Sequence, residues 1–591
     1  MEETTPLYEY SPLPTEPAIR LLDLSPGAEN SPLRGSLKTF PLAEVPSYLA
    51  LSYVWGSDEK PHAIQIGSFH VKITTSLNHA LRDNRAMASV NNKNIFIWAD
   101  GICINQSDTA ELNSQVALMG SIYRSAVSVV TYIGPADQRA YSGLQLGAKL
   151  VEFAQSRGQG SYRDLELIQD SNFQRNGFPP AWHSSWAALS ELMDRAWSSR
   201  VWIVQESLLN HQVAMVLGRV IVHRDLFGKL AHLSLNGRIP RVTTERRGSD
   251  CLTAQDDLKS YAYGHGYDYP HPKTFYHLLR MCHILNSKNA KDKVYALLGV
   301  AHDRDQMGIV PDYTKTEAEV YTDVAMRLIQ TDSNLDLFSS VWSKKTIQLP
   351  TWVPDWSTMP DDPMETLINN PILTKKKLHQ AAGDTTADFV FSEDLKRLHL
   401  TGCVVDRISI VDRTEREGRL LSPFFFQHLD HLAGLPLYSN NLDDIENWRV
   451  LLQYFFTTTA SSLASVLSSD LSFFEAGLRL DAALDGYTMP DMTLGAAEMK
   501  KIQVLVAAFI HTVANRRFFI TEMGYMGLGP KEIVVGDLAV VLLGGKFPYI
   551  LRESDGIFKL LGESYVHGIM RGEALRPESS DGIELRTFTL I

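Results

Sequence analysis

From Tyr48 the chain changes from an irregular, proline-rich pattern to short apolar runs alternating with helically spaced segments. Residues 48–54 (YLALSYV) read as a buried strand, and 63–73 as a hairpin turning at Gly67 and Ser68. Thr75 or Ser76 caps a helix running to about Met87, and 94–98 (NIFIW) is the next strand, leading into Asp100. Asp108, with Glu111 three residues on, starts a helix in which Leu112, Val116, Met119 and Tyr123 keep helical spacing. Residues 127–133 (VSVVTYI) form another buried strand, closed by Gly134 and Pro135. This alternation predicts an α/β domain whose mainly parallel sheet is covered by helices.

The remaining pattern divides the chain. Residues 1–44 contain seven prolines and read as an extended leader, with a short strand near 19–22. The α/β domain is expected over 45–220, including a strand at 212–218. A mainly helical region should fill 221–384, with a polar loop at 238–272 and helices at 273–299 and 315–331. Residues 350–356 (PTWVPDW) form a rigid connector. The last region, 385–591, reads as β-rich with a helical insertion at about 440–512 and a small barrel or sandwich at the end.

Strands of an open α/β sheet present ligands at their carboxyl ends. There the pattern places Ser52 and Tyr53, then Trp55 for stacking and Gly56 for close backbone approach. Asp100 follows the next strand, in a polar loop whose amides suit a ribose or phosphate. Residues 195–210 (RAWSSRVWIVQESLLN) read as an apolar helix that carries Trp202 and Glu206 four apart, hence on one face. A carboxylate beside an indole has its pKa raised or stabilises a developing cation. The same residues also fit a buried strand end with a turn glycine and a salt-bridged helix carboxylate.

Composition narrows the classes. With 591 residues, 44% hydrophobic and 21% charged, the chain is that of an ordinary globular protein. A net charge of -12 argues against a nucleic-acid partner. The four cysteines, Cys103, Cys251, Cys282 and Cys403, show neither zinc nor disulfide spacing and fit a reducing, cytoplasmic setting. His265, His271 and His567 lack metal-ligand spacing, and Cys103 has no base near it in sequence, so no metal is expected. No signal peptide or membrane span is read from the apolar runs, and neither a P-loop nor a GxGxxG is present.

The ordered motifs LSYVWG (51–56), IWADGICINQSD (97–108), QVALMGSIYRSA (115–126) and RAWSSRVWIVQE (195–206) resemble the fungal heterokaryon incompatibility (HET) domain. DKVYALLG (292–299), PDY (311–313), GLGP (527–530) and YVHGIM (565–570) resemble the C-terminal extension of such proteins. Leu112 stands where the family often has Arg. The HET domain is in turn similar to Toll/interleukin-receptor (TIR) domains, which implies a flavodoxin-like parallel sheet. In NAD-cleaving TIR domains a Trp precedes a catalytic Glu by four residues, a spacing that Trp202 and Glu206 share. The resemblance implies allorecognition and programmed cell death through NAD glycohydrolysis. Glu206 would be catalytic, Ser52, Tyr53, Trp55, Gly56, Asp100 and Trp202 would bind substrate, and NAD would be consumed rather than act as a cofactor. A protein partner or self-association is implied. The alternatives are a non-enzymatic TIR-like self-association or signalling module, and an accessory protein of a fungal metabolic locus.

Overall fold

The computed structural model describes residues 6–28, 30–88, 95–156, 173–223, 225–235, 247–263, 274–342, 345–358, 379–411, 516–576 and 584–591. They form two compact units, Met1–Thr316 and Glu317–Ile591. The helical insertion expected at 440–512, together with His265 and His271, lies outside the described residues.

The first unit is built on a mixed sheet of nine described strands. They are β1 (Ala18–Leu24), β2 (Arg34–Pro41), β3 (Leu49–Tyr53), β4 (His62–Ile66), β5 (Phe69–Ile73), β6 (Ile95–Trp98), β7 (Ser128–Gly134), β8 (Val213–Leu217) and β9 (Val220–Val222). In space they run β5-β4-β2-β1-β6-β3-β7-β8-β9. The centre, β6-β3-β7-β8, is parallel throughout, and β2 and β4 form one further parallel pair. On one side β1 pairs antiparallel with both β6 and β2, and on the other β9 returns antiparallel on β8. The sheet is therefore mixed, where the alternation alone predicts a mainly parallel one. The difference comes from β1 and β2 at one side, from the β4–β5 hairpin and from β9.

The first forty residues do more than lead into the domain. Every residue of β1 is buried, including Arg20, whose guanidinium forms a two-pronged pair with Glu111 at 2.5 and 2.8 Å. A charge in the middle of an apolar strand is tolerated only where such a partner compensates its desolvation. The partner lies on α3 (Thr109–Ser125), preceded by α1 (Thr75–Ala88) and α2 (Asp100–Cys103). Asp108 caps α3 as its sequence predicts, accepting from the amides of Ala110 and Glu111 at 3.0 and 3.1 Å.

Further helices flank the sheet: α4 (Gln138–Ser156), α5 (Ser184–Met193), α6 (Ile203–Leu208), α7 (Asp225–Leu235), α8 (Arg247–Tyr263), α9 (Phe275–Cys282), α10 (Asp292–Leu298) and α11 (Arg304–Met307). A core of Leu150, Trp186, Leu189, Ile203, Leu217 and Leu230 joins several of them to the strands. Each such side chain contributes about 1.5–3 kcal/mol on burial. Two expectations change. Residues 247–263, expected within a loop, are helical because Cys251, Leu252 and Leu258 bury one side of α8. Residues 195–210 are not one helix: a 3-10 turn at Ala196–Ser199 gives way to extended backbone at Arg200, and α6 starts only at Ile203. The Ser198 and Ser199 hydroxyls bond back to the carbonyls of Arg195 and Ala196, which competes with helical pairing.

The second unit opens with α12 (Glu317–Asp332) and continues as strands β10 (Phe389–Phe391), β11 (Leu398–Val411), β12 (Arg516–Thr521), β13 (Met526–Pro530), β14 (Leu538–Leu542), β15 (Tyr549–Ser554), β16 (Ile557–Glu563), β17 (Tyr565–Val566) and β18 (Arg586–Leu590). The order β14-β15-β16-β18-β11 closes on itself because β11 also pairs with β14. The ring is a small barrel, one of the two architectures expected. Gly402 sits at the seam, opposite both Arg586 and Leu542, and a Cβ there would lie 2.4 Å from the Val541 carbonyl oxygen. Phe519, Ala539, Val541, Ile550 and Val566 belong to its core.

Candidate functional site

The parallel strand β3 ends in Ser52 and Tyr53, and the side chains gathered around that end make a buried polar cluster. Ser52 donates its hydroxyl to one oxygen of the Glu206 carboxylate, and the Tyr123 phenol donates to the other at 3.2 Å. Tyr53 directs its phenol to Asp100, which also accepts the Trp55 indole N–H at 2.8 Å. Gly101 follows Asp100 because any Cβ there would meet the Tyr53 phenol oxygen at 2.5 Å. Arg200 stands among these groups. Its guanidinium donates to the Tyr53 carbonyl and faces Glu206, Asp100, Tyr123 and Asp292. Asp292, at the start of α10, accepts from the Tyr313 phenol at 2.6 Å and from the Trp202 side chain.

Three carboxyls thus surround one guanidinium. Burial pushes each carboxyl above its ordinary range, and Arg200 opposes the shift in every case. On Arg200 burial is the largest influence and pulls the pKa down, but Glu206 and Asp100, with the two tyrosines, outweigh it and leave it raised. Burial, followed by neighbouring carboxylates, holds Tyr53 and Tyr123 well above the usual phenol range, so both stay neutral donors. With three carboxyls about one guanidinium, the cluster favours a cationic group brought beside it wherever the carboxyls are ionised.

Ser52, Tyr53, Trp55, Asp100, Trp202 and Glu206 all belong to this constellation. Gly56 does not: it is exposed, at φ +71°, with open space about it, and serves as a turn. Trp202 and Glu206 engage different partners, and Glu206 is shifted by burial rather than by the indole. In the loop and first turn of α3, the Asn105 amide already donates to Glu111, and the amides of Ala110 and Glu111 donate to Asp108. Cys103 is fully buried with its thiol pushed up to about 12, far from a nucleophile's range. Sequence reasoning missed Arg200, Tyr123 and Asp292. Arg200 is the one with a local signal, a charge directly before the apolar run Val201–Val204.

Residues 48–206 match the family model described as Heterokaryon incompatibility protein (HET), and 490–583 match the Het-6 beta-barrel domain. Over 97% of its length the chain is 27% identical to Heterokaryon incompatibility protein 6, OR allele, of Neurospora crassa, 96% of which is covered. The chain thus carries a HET segment and a Het-6 beta-barrel segment, and over nearly its whole length it is similar to a heterokaryon incompatibility protein. The HET match ends at Glu206, so it includes Ser52, Asp100, Tyr123, Arg200 and Trp202 but neither Asp292 nor Tyr313. No solved structure matches the chain. Among the described residues, no helix is long and apolar enough to cross a membrane.

Proposed function

We propose that this HET protein is an allorecognition and cell-death effector, and that the cluster around Arg200 cleaves NAD at the bond between nicotinamide and ribose. The observation that carries the reading is the gathering of Glu206 and Asp100 at the carboxyl end of β3. Counted along the chain, the four parallel strands stand second-first-third-fourth, the order of flavodoxin-like sheets, whose ligands bind at that edge. Three carboxyls to one guanidinium suit a substrate whose nicotinamide ring is cationic. As the C–N bond breaks, its electron pair neutralises the ring, so the leaving group needs no acid. An ionised Glu206 stabilises the oxocarbenium-like ribose. Water then adds its hydroxide to that carbon and releases a proton, giving ADP-ribose and nicotinamide.

The test is incubation of the purified full-length protein with NAD and chromatographic separation of products, beside Glu206→Gln. Wild type is expected to release nicotinamide and ADP-ribose, and E206Q to lower the rate about 100-fold or more. Undiminished cleavage by a folded E206Q would sink the assignment. A second reading, a non-enzymatic self-association module, is favoured by one feature: both Glu206 oxygens already accept hydrogen bonds inside the protein. It predicts an oligomer, visible by light scattering, that leaves NAD intact.

A further inference from the structure

The Arg200–Glu206 stretch is held from outside the segment that matches the HET model. The backbone at Arg200 bridges to Asn286, with Val201 donating its amide to the Asn286 carbonyl at 2.8 Å and Asn286 donating to Ser199. The loop carrying Asn286 is pinned by the Lys293 ammonium, which donates to the carbonyls of His283, at 2.8 Å, and Leu285. The next residue back, Asp292, turns the opposite way: it faces Arg200, accepts the Trp202 side chain and takes the Tyr313 phenol at 2.6 Å. Tyr313 is placed by its own amide, which donates to Asn113 on α3 at 2.9 Å. Lys291 completes the clamp by donating to the carbonyls of Tyr313 and Lys315 at 2.9 and 2.8 Å. Consecutive residues therefore hold the site's surroundings: Lys293 the loop of Asn286, and Lys291 and Asp292 both Tyr313.

We propose that Asp292 is a positioning residue of the site, holding the Trp202 indole and the Arg200 guanidinium in place, with Tyr313 fixing Asp292 in turn. The functional unit then extends well past residue 206. The inference rests on reading the Arg200–Glu206 stretch as the functional site, but its readout does not depend on NAD cleavage. Without its carboxylate partner the indole N–H loses its acceptor and the ring is free to leave its rotamer. A site group displaced by about 1 Å typically costs about 100-fold in rate.

The experiment uses the full-length protein labelled with 5-fluorotryptophan, the Trp202 signal being assigned through Trp202→Phe. Asp292→Ala is expected to move the Trp202 fluorine signal and increase its solvent isotope shift, while the signals of Trp186 and Trp197 and the far-UV circular dichroism stay at wild-type values. Tyr313→Phe, which removes one hydrogen bond and little volume, is expected to move the same signal by less. A Trp202 signal unchanged in folded D292A would overturn the proposal. So would a D292A that broadens every tryptophan signal together with a Y313F that leaves Trp202 at its wild-type position. If the wild type cleaves NAD, D292A is also expected to lower kcat about 10- to 100-fold. A wild type inert toward NAD would sink the catalytic reading, while the fluorine signals would still decide this one.

Discussion

Glu206 is the residue at which burial works against ionisation. Burial raises its pKa, so just above the ordinary carboxyl range the folded protein keeps a proton that the unfolded chain has released. The native state then binds more protons than the unfolded one, and stability falls as pH rises through that window. Glutamine mimics the protonated form. E206Q is therefore expected to melt at the same temperature as wild type below the ordinary carboxyl range, and to gain a few degrees over it as pH approaches neutrality. Melting curves across that range check the sign; a loss that grows with pH would show that Arg200 stabilises the charged carboxylate more than burial opposes it. The substitution that tests cleavage therefore also reads the protonation of this carboxyl.

At the scale of elements, α3 and α10 cross where Gly120 and Gly299 meet. A Cβ on Gly120 would lie 2.8 Å from the Gly299 Cα, and one on Gly299 would lie 2.6 Å from Gln205 Oε1. The atoms a Cβ on Gly120 would meet are all Gly299 backbone, so the helices have to separate to admit a methyl group. Gly120→Ala is expected to cost about 1–3 kcal/mol, read from urea denaturation. The elements themselves were largely legible in the sequence, since β3, the β4–β5 hairpin, α1, α3, β7 and β8 each follow a period of two or of 3.6, or an apolar run between turn residues. Residues 195–210 were not, because their apolar content is helical in pattern while Ser198, Ser199 and the bridge to Asn286 draw the backbone out of the helix. The partners of Arg200 were hidden for a different reason. Asp292 and Tyr123 meet it through tertiary contacts, and no local periodicity records which distant helix supplies a counter-charge. Arg20 in β1 carried the same kind of warning, a charge in a buried strand, without naming Glu111.

At the scale of the molecule, each unit depends on a contact between segments far apart in sequence. In the first, the Arg20–Glu111 pair ties the N-terminal strands to the helix that also supplies Tyr123 to the site. Arg20→Ala leaves Glu111 buried without its counter-charge, at a cost of about 3–5 kcal/mol. In the second unit, Gly402 lets β11 approach β14 closely enough to close the barrel. Hydrogen exchange followed by mass spectrometry is expected to separate the two. R20A should raise exchange in peptides from β1, β3 and β6, and Gly402→Val should raise it in β11 and β14. Spread of either effect through all peptides alike would contradict two separate cores.

The clamp by Lys291, Asp292 and Tyr313 also has a consequence in time. A chain emerging from the ribosome contains every residue of the matched HET segment once Glu206 is made, yet Arg200 and Trp202 still lack the groups that hold them. About a hundred further residues must follow, which takes roughly 5–20 s at translation rates of about 5–20 residues per second. During that interval the nascent protein carries an unfinished site. Whatever this cluster does to the cell that makes it, synthesis itself delays the onset.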